Sequence, residues 1–349
     1  MRVLVMGGTG VMGTCLVEQI QQMGHDVVVT TRQHLPSKKT NYWQCDARQE
    51  SFVESIKNNH FDVIVDFMCY RTEEFRHRVN GLLSSTDHYF YFSSARVFAD
   101  SEQPITEKSP QLLDVCSDFN YLQTDEYALA KSRQERILQE TSLRNWTIVR
   151  PYITYGRNRL QLEGMEKEEW LYRAMQGRTV LVSRDILDKR TTMTSGDDVA
   201  KAIASLAGNE KAKGEDFNVI GTDNLLWRDV LQLYAEMFQE STGKVMKVKE
   251  VDSAKEIHYS WANYQIDYDR MYNRKFANQK LLLYVDISFE PIRSGLRKAF
   301  MDFMCQPQFK AIDWNMEVRK DRLSRERASL SEIEGTKAKA RYLYHRYID

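Results

Sequence analysis

The sequence predicts an α/β fold built on a doubly wound parallel sheet, and three observations support this prediction. Short apolar runs, typical of buried strands, alternate with helical patterns from the first residue onward. The first run, residues 3–6, leads directly into a glycine-rich turn and a helical pattern over residues 11–23. A later run, residues 88–94, ends in Ser93 and Ser94, where open α/β sheets bind ligands. Together these features predict a Rossmann-type core.

The glycine-rich turn in MRVLVMGGTGVMG is the strongest local signal. Gly7 would permit a tight turn, Gly10 would let backbone N–H groups approach a pyrophosphate, and Gly13 would let the helix pack closely on the strand. The helix N-terminus also favours an anion. The alternative is a purely structural turn. The pattern predicts a dinucleotide site whose cofactor contacts are Gly7, Thr9, Gly10, Val11, Met12 and Gly13.

The second predicted strand, residues 26–31, ends in Thr31 and Arg32. At this position an acidic side chain binds the ribose 2′-hydroxyl of NAD, whereas an arginine accommodates the 2′-phosphate of NADP. The strand end therefore favours NADP and leaves NAD as the second option, unless Arg32 is an ordinary surface residue. Asp46 follows a short third strand, residues 42–45, and is interpreted either as an adenine contact or as the N-cap of a helix from Ala47.

Composition excludes several classes of protein. The chain has 349 residues, enough for one large or two unequal domains, and its 49 basic residues balance its 49 acidic ones. No global field attracts nucleic acid or membrane, so neither is an expected partner. The five cysteines are widely spaced without a CxxC pair, which predicts reduced thiols and no metal site. With no signal peptide or membrane-length apolar run, we expect a soluble cytoplasmic protein.

Further strands are predicted at residues 61–67 and 146–149, and residues 99–119 are expected to form a loop over the ligand edge. Beyond residue 155 the alternation becomes irregular. Helices are predicted there at 166–176, 198–207, 227–238 and 291–304, and strands at 179–183, 217–220 and 245–248. We predict a dinucleotide-binding domain at 1–155, to which parts of 185–225 return, a smaller α/β substrate-binding lobe at 156–317, and a charged helical tail at 318–349. The tail is expected to form solvated helices, which could dock on a partner subunit, or to be partly disordered.

A strong helical pattern over residues 125–138 carries Tyr127 and Lys131, four residues apart and therefore on one face. The free pKa of tyrosine, about 10, makes it a poor acid or base at neutral pH. A nearby ammonium stabilises the phenolate and brings that pKa toward a useful range. The pair therefore predicts a proton-transfer site, and the alternative is a surface Tyr–Lys pair.

Taken together, GGTGVMG, Ser94, the YALAK segment that ends at Lys131 and the RPYITYG segment after the sixth strand resemble the extended short-chain dehydrogenase/reductases. Within that family the chain looks like the nucleotide-sugar epimerase/dehydratase branch, over roughly residues 1–300. The resemblance implies that Ser94 hydrogen-bonds the substrate oxygen, Tyr127 exchanges the proton, and Lys131 holds the nicotinamide ribose. It also implies a homodimer, a nucleotide-sugar substrate, and cofactor contacts from Ala47, Phe67, Met68, Ser93, Pro151, Tyr152 and Ile153.

Three departures from the family pattern are informative. The carboxylate pair with which dehydratases eliminate water is replaced by Ala95 and Arg96, which argues against 4,6-dehydration and makes both residues candidate substrate contacts. The family's asparagine after the sixth strand corresponds to Ile153. Arg190 stands near the family's substrate-binding arginine, but with a spacing one residue too long.

We therefore expect an NAD(P)-dependent oxidoreductase that acts at C4 of a nucleotide-activated sugar, as a 4-keto-sugar reductase, a C4 epimerase or both. Two alternatives stay open. Some relatives with a strand end like Ser93-Ser94-Ala95 have become RNA-binding or scaffold proteins. The chain could also be a redox sensor that binds NADP without turnover.

Overall fold

A computed structural model describes residues 1–35, 40–257, 259 and 263–348. The chain forms two compact units, each made of three segments. The first comprises Met1–Thr154, Thr192–Asp223 and Lys275–Ile292, and the second comprises Tyr155–Thr191, Asn224–Arg274 and Arg293–Asp349. The chain therefore passes five times between the units, after residues 154, 191, 223, 274 and 292.

The strands of the described residues are β1 (Arg2–Met6), β2 (Asp26–Thr31), β3 (Asn41–Gln44), β4 (Phe61–Asp66), β5 (Thr86–Phe92), β6 (Trp146–Arg150), β7 (Thr154–Tyr155), β8 (Val180–Ser183), β9 (Arg190–Thr191), β10 (Thr194–Ser195), β11 (Glu215–Asn218), β12 (Leu225–Leu226) and β13 (Val248–Val251).

The helices of the same residues are α1 (Val11–Gln22), α2 (Glu50–Lys57), α3 (Thr72–Leu83), α4 (Leu112–Val115), α5 (Phe119–Leu122), α6 (Tyr127–Glu140), α7 (Leu171–Met175), α8 (Arg184–Leu187), α9 (Gly196–Leu206), α10 (Trp227–Thr242), α11 (Ala254–Ile257), α12 (Asn263–Gln265), α13 (Gln279–Leu282), α14 (Ile292–Cys305), α15 (Trp314–Ser324) and α16 (Thr336–Tyr347). Short 3-10 turns lie at Ala95–Val97 and Glu210–Ala212, and a π-helical turn at Ile266–Arg270.

The first unit is organised by a seven-stranded sheet in the order β11-β6-β5-β4-β1-β2-β3, in which every pairing is parallel. The order reverses between β1 and β4, and such a reversal opens a crevice at the carboxyl ends of the strands. The predicted Rossmann-type doubly wound sheet is therefore confirmed.

Two apolar layers cover this sheet because successive side chains of a strand point to opposite faces. Val3 and Val5 of β1 belong to one cluster, with α1 and α9, whereas Leu4 and Met6 belong to another, with α2 and α3. An uninterrupted apolar strand such as β1 is therefore buried on both faces.

The second unit contains two small sheets, a parallel pair of β8 with β13 and an antiparallel pair of β9 with β12. Its helix α10 ends at Gly243, which has the left-handed backbone typical of a helix C-terminus. Helices α15 and α16 pack together through an apolar cluster that includes Trp314, Val318 and Tyr342. The expectation of a solvated tail is wrong for this part, since Val318 and Asp321 are buried.

Several element boundaries differ from the prediction because tertiary pairing, rather than local pattern, determines them. The strand expected at residues 245–248 is β13, three residues later, where Val248 pairs with Val180 of β8. The helix expected at 166–176 is limited to α7, and α4 lies within the expected loop at 99–119. No helix among the described residues is both long and apolar enough to cross a membrane.

Candidate active site

The glycine turn after β1 begins at Gly7, whose φ of +68° lies in the left-handed region that other residues avoid. A Cβ at Gly7 would lie 3.1 Å from Sδ of Met68. The Gly7 N–H donates a hydrogen bond to Oγ1 of Thr30 at 3.1 Å. The turn therefore requires glycine for its backbone, as the sequence predicts.

The other glycines of the motif differ in what surrounds them. A Cβ at Gly13 would lie 2.5 Å from Cα of Gly8, so the start of α1 is pressed against the turn. A Cβ at Gly10 would meet nothing within 4 Å, and Gly10 gives α1 no side-chain cap. The first N–H groups of α1, at Val11 and Met12, thus begin a helix with an open approach, which fits a pyrophosphate. Thr9 is exposed in the same turn.

Gly8 is a structural glycine that the sequence reasoning missed. A Cβ there would lie 2.6 Å from Cγ1 of Val5 and 3.0 Å from Cγ1 of Val29. The signal was present in the doubled glycine of the motif, whose first member supplies the left-handed turn and whose second admits the neighbouring strand.

The segments after β2 and β3 carry the predicted adenosine contacts. Thr31 Oγ1 accepts the Gln33 N–H at 3.1 Å, and Arg32 is exposed immediately after β2. Asp46 Oδ1 accepts the Arg48 N–H at 3.1 Å, so Asp46 closes a turn. The proposed cap for a helix from residue 47 is wrong, because α2 starts at Glu50.

Ala47 is buried directly behind this turn, and its carbonyl accepts a short hydrogen bond from the Arg78 guanidinium. Its main chain is therefore fixed by the protein itself. The adenine role of Asp46 and the cofactor contact of Ala47 stay predictions.

Helix α6 begins at Tyr127, two residues later than predicted, because Glu126 caps it by accepting the Ala128 N–H at 2.8 Å. Tyr127 is 38% exposed, whereas Lys131 is buried. Lys131 Nζ donates to the carbonyl of Phe92 at 2.6 Å and lies 5.9 Å from the centre of the Tyr127 ring. Burial lowers the pKa of Lys131. The predicted pair therefore lies at the carboxyl end of β5.

Ser94 and Arg96 follow the same strand, and Arg96 contacts both predicted catalytic segments. The Arg96 N–H donates to Oγ of Ser94 at 3.3 Å. Its guanidinium carbon lies 5.3 Å from the centre of the Tyr127 ring, and its Nη2 lies 2.7 Å from Glu126 Oε1. Ala95 is buried, and its N–H donates to the Pro151 carbonyl at 3.0 Å. Sequence reasoning treated Arg96 as a substrate contact and did not anticipate its protein partners.

The carboxyl end of β4 supplies the neighbouring wall. Phe67 and Met68 are half-buried there, and the Phe67 ring lies 4.1 Å from the ring of Phe92. Ser93 is buried on β5's carboxyl side, and its Oγ has no hydrogen-bond partner within the residues described. A buried hydroxyl without a partner is costly, so it is a candidate ligand contact.

Asp66, the last residue of β4, is a buried carboxylate that sequence reasoning missed. It accepts hydrogen bonds from the Tyr89 hydroxyl at 2.7 Å, the Tyr70 hydroxyl at 3.0 Å and the Met68 N–H at 2.8 Å. Burial raises the pKa of Asp66. The available signal was an acidic residue at the end of the apolar run FDVIVDF.

A buried ion pair fixes α6 to the sheet. Arg150, the last residue of β6, donates to both carboxylate oxygens of Glu135 at 2.8 and 2.7 Å, and to Asp216 at 2.7 Å. Glu135 stands one helical turn after Lys131. Burial opposes the charge of Arg150, but the two carboxylates outweigh it and raise its pKa. The ion pair therefore holds the helix that carries the predicted catalytic pair.

The segment after β6 contains a strained residue. Pro151, Tyr152 and Ile153 are buried, and Ile153 has a φ of +29°. Left-handed backbone is unfavourable for a β-branched side chain and tends to occur at functional sites. The Ile153 carbonyl accepts the Thr194 N–H at 3.1 Å, which holds this conformation.

Arg190 lies in the second unit, on β9, and is exposed. Its N–H donates to Asn273 Oδ1 at 2.9 Å and its Nη1 to Asn224 Oδ1 at 3.1 Å. Its role as a substrate contact stays a prediction.

Comparisons with known proteins show what the chain is similar to. A curated relative from Arabidopsis thaliana, the chloroplast stem-loop binding protein of 41 kDa b, is 27% identical over 238 residues, which are 63% of this chain and 58% of the plant protein. The match thus spans less than two thirds of that relative's length.

Two solved structures share the fold. The UDP-glucuronic acid 4-epimerase from Bacillus cereus, in complex with NAD, is 13% identical with a TM-score of 0.65, over 88% of this chain and 99% of that one. The dTDP-glucose 4,6-dehydratase from Bacillus anthracis is 15% identical with a TM-score of 0.67, over 88% of this chain and 97% of that one. A family profile matches residues 3–219, a range that includes the glycine turn, Ser94, Tyr127 and Lys131. The chain belongs to the family of that profile, the NAD dependent epimerase/dehydratase family of short-chain dehydrogenase/reductase-type enzymes.

Proposed function

We propose that this chain transfers hydride at C4 of a nucleotide-activated sugar, as a 4-keto-sugar reductase, a C4 epimerase or both. The observation that carries the proposal is the grouping of Ser94, Tyr127 and Lys131. Ser94 follows the carboxyl end of β5, and Tyr127 and Lys131 lie in the first two turns of α6. Arg96 connects them, because its N–H contacts Ser94 and its guanidinium lies beside the Tyr127 ring. Solved neighbours in complex with UDP-sugars and NAD support the substrate class.

Each residue of the group has a distinct task in this proposal. The Tyr127 hydroxyl exchanges a proton with the C4 oxygen, and Ser94 Oγ hydrogen-bonds that oxygen. Lys131 contributes a fixed positive charge that favours the phenolate over the phenol. A bound nicotinamide dinucleotide supplies the hydride chemistry. The open helix start at Gly10 and the Ser93 hydroxyl, which has no hydrogen-bond partner among the described residues, are the protein groups that would hold it.

We further propose that the cofactor is NADP. The reason is that β2 ends in Thr31 and the exposed Arg32, with no carboxylate for a ribose 2′-hydroxyl. The family description and the neighbours that contain NAD support the other choice.

Identification of released nucleotide separates these possibilities. The purified chain is denatured, and any nucleotide in the supernatant is identified by mass spectrometry. An empty protein that then binds NADPH more tightly than NADH supports a reductase with Arg32 as its selector. Stoichiometric NAD would support a recycling epimerase and would contradict the proposed role of Arg32.

The catalytic assignment is tested by replacing the phenol. Tyr127→Phe should lower kcat on the active UDP-sugar by about 10²–10⁴-fold, the range typical of general acid–base catalysis. Affinity for the dinucleotide should change little. The exposed Tyr344→Phe is the matched control and should leave both unchanged. Unaltered turnover in Tyr127→Phe would refute the mechanism.

A second candidate is a non-catalytic NAD(P)-binding scaffold or an RNA-binding protein of the same fold. It is favoured by the name of the plant relative and by the Ser93-Ser94-Ala95 strand end, which resembles that of RNA-binding or scaffold relatives. Failure of a broad nucleotide-sugar panel, combined with tight dinucleotide binding, would support it over the enzyme.

A further inference from the structure

Asp66 is a buried carboxylate at the carboxyl end of β4, beside the candidate active site. Its Oδ2 accepts hydrogen bonds from the Tyr89 and Tyr70 hydroxyls, and its Oδ1 accepts one from the Met68 N–H. All three donors are uncharged, so none of them balances the charge of the carboxylate. Burial raises the pKa of Asp66, but three donors on one carboxyl group favour its ionised form.

Met68 connects this carboxylate to two parts of the site. Its N–H donates to Asp66 at 2.8 Å, and its carbonyl accepts a hydrogen bond from Lys131 Nζ at 3.4 Å. A Cβ at Gly7 would lie 3.1 Å from Met68 Sδ, so the same residue also lies against the glycine turn. Because the N–H and the carbonyl flank one residue, holding the first helps to set the place of the second. Asp66 therefore helps to orient an acceptor of Lys131.

A second connection runs from Asp66 to α6 through Tyr70. The Tyr70 carbonyl accepts a hydrogen bond from Gln134 Nε2 at 2.9 Å, and Gln134 Oε1 accepts one from the Tyr91 hydroxyl at 2.6 Å. Gln134 follows Lys131 by three residues and is therefore its neighbour on the surface of α6. Lys131 Nζ lies 4.6 Å from the centre of the Tyr91 ring. The carboxylate and the helix that carries Lys131 thus belong to one hydrogen-bonded network.

The charge of Lys131 also needs a partner inside the protein. Burial lowers the pKa of Lys131, and Cys69, Asp66 and Glu135 oppose this effect. Both oxygens of Glu135 are bonded to the Arg150 guanidinium, so its charge is already balanced. Cys69 carries an exposed thiol, which has no permanent charge. Of these three groups, Asp66 is therefore the carboxylate that is left to balance the ammonium.

We propose that Asp66 is a positioning residue of the candidate active site, whose carboxylate holds residues 66–68 in place and keeps Lys131 charged inside the protein. The inference rests on the proposed function, in which the Lys131 ammonium acts beside a bound nicotinamide dinucleotide. A buried lysine readily loses its proton, and a neighbouring carboxylate opposes that loss. In this role Asp66 acts through Lys131 and Met68 rather than on the substrate.

The test titrates the full chain with NADPH, and with NADH in parallel, and follows the nicotinamide fluorescence between about pH 7 and 10. A background of Cys69→Ser with Tyr127→Phe removes the neighbouring thiol and the proposed catalytic phenol. In this background, affinity should fall toward alkaline pH as Lys131 loses its proton. Asp66→Asn keeps an acceptor for the Met68 N–H but removes the charge. It should move the fall in affinity to lower pH by about one unit or more.

The phenols of the network do not contribute to this profile. Burial raises the pKa values of Tyr70, Tyr89 and Tyr91 well above the ordinary value of about 10. They therefore keep their protons throughout the titration, and a shift that Asp66→Asn causes reports on Lys131.

Two matched variants separate the charge of Asp66 from its hydrogen bonds. Tyr89→Phe removes one hydrogen bond to Asp66 without changing its charge, and it should leave the pH of the fall unchanged. Asp62→Asn makes the same change in charge near the other end of β4, at a half-buried position, and should also leave it unchanged. Equal weakening of binding by Asp66→Asn at every pH would show a merely structural role and would overturn the proposal.

A second measurement covers the case in which Asp66→Asn does not fold. A charge pair predicts that addition of Lys131→Met restores folding, because both charges are then removed, and the urea midpoint of the double variant measures this. A double variant that also fails to fold would overturn the proposal. Absence of dinucleotide binding by the parent chain at every pH would overturn the proposed function. Binding with the same pH profile in the parent and in Asp66→Asn would overturn this inference alone.

Discussion

The candidate active site and the C-terminal helices are both fixed by buried arginines, but the partners of those arginines lie at very different separations along the chain. Arg150 binds Glu135, which is 15 residues away, and Asp216, which is 66 residues away. Arg173 binds Asp321, which is 148 residues away. One partner of the first arginine is thus a near neighbour in sequence, whereas the partners of the second meet it only after distant segments have come together. The helix of the candidate site is therefore held in part by local order, and the C-terminal helices by long-range closure.

Removing Arg173, whose partners are distant in sequence, should lower the free energy of unfolding more than any other change considered below. Arg173→Met leaves Glu317 and Asp321 buried, with Arg178 3.4 Å from each and Lys320 3.7 Å from Glu317. Breaking a buried ion pair in this way costs about 3–5 kcal/mol of unfolding free energy. Hydrogen exchange followed by mass spectrometry should show faster exchange in α15 and α16, with α6 unchanged. Equal loss of protection in α6 would mean that the two regions are not independent.

A buried carboxylate that no arginine pairs with among the described residues sharpens the contrast. Glu163 accepts the Ser183 N–H at 3.0 Å and the Tyr259 hydroxyl at 2.9 Å, and burial raises its pKa to about 8. Its folded pKa exceeds the unfolded value of about 4.3, so its contribution to stability is present at low pH and is lost as pH rises toward 8.

Glu163→Gln removes this titration. The wild-type chain should lose up to about 1.4 kcal/mol per pH unit from pH 5 to 7 relative to the variant, as measured by urea denaturation at each pH. Parallel stability curves for the two proteins would contradict the raised pKa of Glu163.

A glycine pair in the first unit tests the local arrangement and should give the smallest change in stability. Gly13→Ala should cost about 1–2 kcal/mol, because its Cβ would overlap the backbone of Gly8. Gly10→Ala should cost less than about 1 kcal/mol, since its Cβ meets nothing within 4 Å, but it should weaken dinucleotide binding. Chemical denaturation and cofactor titration measure the two effects separately. The reverse ranking of stability would refute the close approach at Gly13.

Much of the first unit could be predicted because each signal lies within a few residues of its consequence. Gly7 supplies a turn between adjacent elements, and Tyr127 and Lys131 belong to a single helix. Arg173 carries no local signal of its partners, since Asp321 resembles any charged residue of a solvated helix. The left-handed backbone of Ile153 was equally unpredictable, because isoleucine disfavours the conformation that its surroundings impose.

The five passages of the chain between the two units determine when each can form during synthesis. The first unit takes its last segment from Lys275–Ile292, so a growing chain holds an incomplete sheet-bearing unit until those residues leave the ribosome. Strand β11, at one edge of the sheet, reaches its place beside β6 only after a whole intervening segment of the second unit has been made. Neither unit can be completed until the C-terminal part of the chain has been synthesised. Unfinished chains therefore carry an open strand edge that is prone to aggregation.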